Sequence, residues 1–259
     1  SRSQKDILNE IRGSAEKGVK EVILLGQNVN AYNFEGISFS SLIYSLAEIN
    51  EIKRIRFMTS HPRDMTDELI TAFGDIPKLM PFLHLPAQSG SNRILKSMNR
   101  GHIVEEYVEI VNKLRSVRSD ICFSSDFIVG YPGETDKDFQ ETIDLCEQVE
   151  FAQAYSFNYS SRPGTPASRK EELDENLKKT RLHILQDLLS KQQSTFLKEQ
   201  KNTQHKVLFE KVGRGIDEYV GRTEQFSPVT VVNKENIVGE IKKVEINSVM
   251  SHSLKGDLK

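Results

Sequence analysis

The sequence predicts an incomplete α/β catalytic domain joined to a small all-β domain. Three observations predict it. Five short apolar runs in residues 1–170 alternate with segments of helical periodicity. Residues 171–200 contain neither glycine nor proline. From about residue 204 the runs shorten and are broken at Gly213, Gly215, Pro228, Gly239 and Gly256. Strand alternating with helix means a parallel sheet with right-handed crossovers. Several short strands at close spacing mean a small barrel.

The elements follow in order. The chain opens Ser1-Arg2-Ser3, without methionine, and enters a helical pattern at once, as a fragment boundary would. Strands are expected at 21–25, 54–58, 82–85, 121–129 and 151–157. Between them Phe39, Leu42, Ile43, Leu46 and Ile49 step by three and four. So do Val104, Val108, Val111 and Leu114, and then Phe139, Ile143 and Cys146. Thr135 followed by Asp138 predicts a capping box on the last of these helices. Five strands fit part of a barrel or a doubly wound sheet, and periodicity does not order them. Residues 171–200 read as one connecting helix, striped by Leu173, Leu177, Ile184, Leu185, Leu188 and Leu189. Short strands are then expected at 205–212, 218–222, 229–233, 237–246 and in the tail. The domains are therefore 1–170, a connector at 171–200, and 201–259.

Composition bounds the function. The 259 residues carry 37% hydrophobic and 28% charged side chains, enough for a globular core. A net charge of −2 excludes a uniformly basic nucleic-acid binder but permits a local basic face. Residues 195–259 hold 11 Lys/Arg against 9 Asp/Glu, so the mild positive excess lies in the second domain. No run approaches the roughly 20 apolar residues of a membrane span, and no secretory h-region opens the chain. A cytoplasmic monomer without a membrane partner is expected. Cys122 and Cys146 read as buried, reduced thiols. No ligand spacing exists, so this chain should hold no metal of its own.

In parallel α/β folds the loops after the strands build the active site. Here those loops are Gly26–Asn30, Thr59–Arg63, Pro86–Ser91, Gly130–Thr135 and Ser160–Thr165, all polar. Glycines permit close backbone approach to a ligand. Gln and Asn amides suit an adenine edge or an amino-acid head group. Asp126 interrupts an apolar strand and must be hydrogen-bonded or functional. His61 reads as a structural loop histidine, and Ser89 or Ser91 as a possible helix cap. No Ser-His-Asp order, Walker loop or HExxH motif is present. The physics of these residues ends at a polar ligand pocket, and no catalytic residue is assigned.

The same loops carry a resemblance. LLGQNVNAY at 24–32, TSHP at 59–62, LHLPAQSGS at 83–91, DFIVGYPGET at 126–135 and YSSRPGTPA at 159–167 resemble radical-SAM methylthiotransferases of the MiaB type, in order and spacing. Val220-Gly221-Arg222-Thr223 and Ser253-Leu254-Lys255-Gly256 resemble a TRAM domain, an OB-like RNA-binding β-barrel. The resemblance implies methylthiolation at C2 of N6-isopentenyladenosine at position 37 of tRNA. It implies S-adenosylmethionine (SAM), two [4Fe-4S] clusters held by cysteine triads, tRNA and an electron donor. Neither triad is present. Ser1-Arg2-Ser3 matches the family just beyond its cluster loop, so a partial (β/α)6 barrel missing its first strand is expected, and the isolated chain is expected to be inactive. The resemblance assigns SAM contacts to Gln27, Asn28, Ser60, Gln88, Ser89, Ser91, Asp126, Gly130 and Glu134. Arg162 faces SAM or the substrate nucleotide. Lys206, Lys211, Arg214, Arg222 and Lys255 are candidate tRNA phosphate contacts, and Phe226 is either a stacking platform or a core residue. The alternatives are a sister enzyme acting on threonylcarbamoyl-adenosine or a ribosomal protein, a non-catalytic RNA-binding module, and a metal-independent α/β-barrel enzyme. The TSHP loop favours the isopentenyladenosine branch.

Overall fold

The computed structural model describes residues 1–161, 163–164 and 166–259. Helix α1 (Gln4–Ala15) begins where the Ser3 hydroxyl accepts the Asp6 N–H. Strand β1 (Glu21–Leu24) leads through a 3-10 turn to a hairpin, β2 (Asn33–Phe34) and β3 (Ile37–Ser38). The hairpin was not expected from the sequence. Its strands are too short to show a period, and its signal is the turn, where Glu35 and Gly36 both have positive φ (51° and 84°). That is the two-residue turn whose twist suits a hairpin. Then come α2 (Phe39–Ala47), β4 (Arg54–Phe57), α3 (Asp67–Asp75), β5 (Phe82–His84), α4 (Asn92–Ser97) and α5 (Val104–Val117). Strand β6 (Cys122–Val129), α6 (Asp136–Val149) and β7 (Gln153–Asn158) complete the first domain. The capping box on α6 is formed, with Thr135 and Asp138 exchanging bonds.

All five expected parallel strands are present. β1 pairs with β4, β5 with β6 and β6 with β7, every pair parallel. A bridge between Ile55 and Leu79 joins the two sets. The strands thus lie in chain order without reversal. A doubly wound sheet reverses its order at a switch point, so that alternative is excluded. Ile55 and Phe57 on β4 turn into the helix-covered core, where Phe57 meets Phe39 and Phe73 at 5.1 and 5.8 Å. Period-2 alternation sends Arg54 and Arg56 to the opposite face.

Helix α7 (Glu175–Glu199) starts at Asp174, whose carboxylate accepts two backbone N–H groups at 3.0 Å. It leads to β8 (Gln204–Val212), β9 (Glu218–Arg222), β10 (Pro228–Val232), β11 (Ile241–Val249) and β12 (Leu254–Leu258). These five close into a barrel in the order β10-β12-β11-β8-β9, with one parallel pair, β10 and β12. The strand expected at 237–246 starts only at Ile241. Ile237 is apolar because it plugs the barrel core, and Gly239 turns the chain at φ 82°.

The two domains interlock. Arg54 donates to the carbonyls of Lys206 and Arg222 at 2.6 and 2.9 Å. Arg56 donates to those of Glu224 and Thr223 at 2.8 and 2.9 Å and to the Glu21 carboxylate at 3.1 Å. Phe226, at the tip of the β9–β10 turn, lies on Phe82 at 5.1 Å. Among the described residues no helix is long and apolar enough to cross a membrane.

Candidate cofactor and nucleic-acid site

A cleft of about 1000 Å³ opens at the carboxyl ends of β6 and β7. Gln88, Asp126, Asn158 and Tyr159 line it, together with His61 and Arg100. Strand geometry places the first group. The Gln88 N–H donates to the Asp126 carbonyl at 2.8 Å, and Ile128 N–H donates to the Gln88 carbonyl at 2.9 Å. This holds Gln88 in a left-handed conformation, φ 72°, with its side chain beside β6. The Asp126 carboxylate lies 3.5 Å from His84 Nε2. Asn158 Oδ1 is buried with no hydrogen-bond partner among the described residues. His61 turns its Nδ1 back to accept Arg63 N–H at 3.2 Å, so the expected structural role is present, and its ring also walls the cleft.

Other expected cofactor contacts are placed elsewhere. Ser89 and Ser91 are each 1% exposed. The Ser89 hydroxyl lies 3.4 Å from Thr142 Oγ1, and Ser91 Oγ donates to Asp138 at 2.7 Å. Both hydroxyls fasten the loop to α6, and neither residue lines the cleft. Glu134 does not line the cleft either. Its carboxylate accepts Gly130 N–H and Arg181, both at 2.8 Å, inside the contact with α7. Gly130 has φ 71°, and a Cβ there would lie 2.5 Å from the Lys178 stem, so its glycine serves packing. Ser60 donates to the His84 carbonyl and is buried. Asn28 Nδ2 donates to Asp64 at 2.6 Å, while its Oδ1 is buried and unpartnered. Gln27 is exposed. Neither Gln27 nor Asn28 lines the cleft. Arg162 lies outside the described residues.

The loop anchors carry a pH signature. Burial opposes charge on Asp138, but hydrogen bonds from Arg93, Thr135 and Ser91 outweigh it and hold the carboxyl well below the usual range. A depressed carboxyl pKa contributes stability above the unfolded value near 3.9, lost as pH falls through the folded value. Asp138→Asn should therefore flatten the acid limb of a stability-against-pH curve measured by urea unfolding. An unchanged acid limb would discard this account.

On the small barrel, Lys206, Lys211, Arg214 and Lys255 are exposed. Arg222 is half-buried and engaged within the barrel. Its guanidinium lies over the Phe226 ring at 4.3 Å, 3.4 Å from Glu210, and donates to the Phe226 carbonyl. Phe226 itself is half-buried and packs against Phe82 between the barrel and the α/β part. Cys122 and Cys146 are buried free thiols, as expected. Burial pushes Cys122 up to about 12. The cluster-binding constellation is absent from the described residues, which hold no group of three or more metal-ligating side chains.

Sequence reasoning missed Arg100 and the cleft roles of Tyr159 and Asn158. Arg100 follows a helix rather than a strand, so the rule that strand-end loops build the site passes over it. The available signal was Asn99-Arg100-Gly101, a helix stop.

The comparisons agree with this architecture. The family model for the radical SAM superfamily matches residues 1–146. The chain is 48% identical over its whole length to a tRNA-2-methylthio-N(6)-dimethylallyladenosine synthase of Bartonella tribocorum, covering 57% of that protein. It is 47% identical to the same-named protein of Rickettsia felis, again over all of this chain and 60% of the relative. The chain thus spans about three fifths of the length of the curated relatives it matches. Among solved structures, coproporphyrinogen III oxidase (HemN) of Escherichia coli aligns with TM-score 0.53 at 14% identity, over 98% of this chain and 65% of that one. The radical S-adenosylmethionine methyltransferase TsrM of Kitasatospora setae aligns with TM-score 0.53 at 14% identity, over 65% and 33%. These two show likeness of fold alone. With the family model covering more than half its residues, the chain belongs to the radical SAM superfamily.

Proposed function

We propose that this chain forms the cofactor-binding and RNA-binding parts of a tRNA methylthiotransferase acting at C2 of N6-isopentenyladenosine. Residues 1–170 are then strands two to six of a partial (β/α)6 barrel, 171–200 the connector, and 201–259 an OB-like TRAM barrel. The observation that carries the reading is the cleft at the strand ends, where Gln88, Asp126 and the unpartnered Asn158 Oδ1 converge. The names of the relatives, at 47–48% identity along the whole chain, support this reaction.

SAM fits this donor set. Gln88 and Asn158 present amides for an adenine edge, and Asp126 presents a carboxylate for ribose hydroxyls or an ammonium. SAM, when bound, supplies the methyl group and the radical source in this reading. A [4Fe-4S] cluster does not fit this chain. Its thiols, Cys122 and Cys146, are both buried, and burial raises both pKa values, against the thiolates a cluster requires. The residues present therefore bind and orient SAM and RNA, and the isolated chain is expected to show no SAM cleavage. Lys206, Lys211, Arg214 and Lys255 supply phosphate contacts on the barrel.

Calorimetry tests the cofactor assignment. Wild-type chain should bind SAM weakly, and both Gln88→Ala and Asp126→Ala should weaken binding about tenfold or more, the scale of a lost charged or paired hydrogen bond. Unchanged affinity in both variants would remove the assignment. Mass spectrometry of tRNA from cells lacking the parent gene separates isopentenyladenosine from threonylcarbamoyl-adenosine as substrate.

A further inference from the structure

The mouth of the cleft carries a cation, Arg100, whose one charged neighbour there is the Asp126 carboxylate, beyond ion-pair distance. Helix α4 ends in a left-handed residue, Asn99 at φ 58°. Asn99 N–H donates to the Lys96 carbonyl at 3.1 Å and Arg100 N–H to the Leu95 carbonyl at 2.9 Å. This pair of bonds is a Schellman motif, and it swings Arg100 back over the strand ends. The Arg100 side chain is half-buried and lines the cleft. Among the described residues its guanidinium makes no hydrogen bond and no ion pair. The other buried or half-buried arginines, Arg54, Arg56, Arg115, Arg118, Arg181 and Arg222, are all partnered. A half-buried charge without hydrogen bond or ion pair, attracted only at longer range by Asp126, is a place for an anionic ligand group.

The surroundings say which anion. Lys170 stands on the same helix end, its Nζ 2.7 Å from Ser97 Oγ and 5.6 Å from the centre of the Tyr131 ring. Arg63 packs on the other side, where a Cβ added at Gly101 would meet its Cδ at 3.2 Å. Arg63 is exposed and shares its charge with Asp64 at 3.4 Å. A single carboxylate would need one of these cations. A row of three along a rim fits a polyanion. Aromatic faces lie beside the row, with Tyr131 and Tyr159 in edge contact at 5.1 Å and Phe157 54% exposed in the cleft. Cations tracking a backbone beside aromatic rings form the pattern that holds single-stranded nucleic acid.

We propose that Arg63, Arg100 and Lys170 form a second RNA contact, on the α/β domain itself, which grips loop phosphates while one base enters the cleft against Tyr159 and Phe157. This rests on the proposed function and extends it, because the phosphate contacts assigned above lie on the small barrel.

The test titrates the full chain with an RNA hairpin bearing a single-stranded loop, and with a blunt duplex, across a KCl series. Each lost phosphate contact on single-stranded RNA reduces the salt slope by about 0.7. Arg100→Gln with Lys170→Gln should lower the hairpin slope by about 1.4 and leave duplex binding unchanged. Arg100→Lys should restore part of it. Lys206→Gln with Lys211→Gln should weaken hairpin and duplex alike. Wild-type hairpin binding in the Arg100 and Lys170 variants, with the barrel variants weakened, overturns this contact and leaves the broader reading standing. An Arg100→Gln chain that keeps the RNA curve but loses SAM affinity assigns this guanidinium to the cofactor's carboxylate, which also overturns it. A wild-type chain that binds neither RNA removes both readings.

Discussion

Arg56→Met is expected to destabilise the chain by about 3–5 kcal/mol, the cost of breaking a buried ion pair by removing one partner. Arg56 is 1% exposed and buried on a strand whose next residue, Phe57, belongs to the other face. Its removal leaves the Glu21 carboxylate, 8% exposed at the side chain, with only Arg54 at 3.7 Å. It also takes the donor from the Glu224 carbonyl and the cation from above the Phe226 ring, 4.8 Å away. Because these bonds cross between the domains, the loss should also divide the unfolding. Urea denaturation followed by circular dichroism should change from one transition to two, with the small barrel and the α/β domain melting separately. Glu21→Gln should cost a comparable amount, since it leaves two buried arginines without the carboxylate they share. A loss below about 1 kcal/mol, the level of an exposed pair, with a single transition retained would reject the interlock as a source of stability.

This interlock marks where the sequence stopped being readable. Apolar runs announced β1, β4, β5, β6 and β7 because burial against helices imposes the pattern on each strand separately. Thr135 and Asp138 announced the α6 cap because a capping box is local. Arg54 and Arg56 gave no such notice. Two arginines alternating on a strand normally mean a solvated face, and only the distant β8, the end of β9 and the turn after it make that face an interface. Phe226 was ambiguous for the same reason. The site divides similarly. Gln88 was visible in a polar loop after a strand and Asp126 as a charged break in an apolar strand, and the structure puts both in the cleft. Ser89, Ser91 and Glu134 share those loops but turn into α6 and α7, a choice made by tertiary packing. Arg100 was invisible because its position depends on how a six-residue helix ends.

The second large effect is expected at Gly90, where that packing is tightest. A Cβ built there would lie 2.2 Å from the Glu141 carbonyl oxygen and 2.5 Å from Thr142 Cα. Both are backbone atoms of α6, which cannot yield as a flexible side chain would. Gly90 N–H also donates to Thr142 Oγ1 at 3.0 Å, so the loop is held at this distance from both sides. Gly90→Ala must push the loop off the helix, and overpacking of this kind costs about 1–3 kcal/mol or more. Gln88 lies two residues upstream and is aligned only by its two backbone bonds to β6. Displacing the loop should therefore also lower SAM affinity about tenfold, or about 1.4 kcal/mol, in chain that remains folded. Thr142→Val is the matched control. It removes the hydrogen bond without adding a Cβ and should cost about 1 kcal/mol with SAM affinity nearly retained. Calorimetry on both variants separates the two effects. A Gly90→Ala chain with wild-type stability and wild-type SAM affinity would mean that the contact with α6 does not position the cofactor loop.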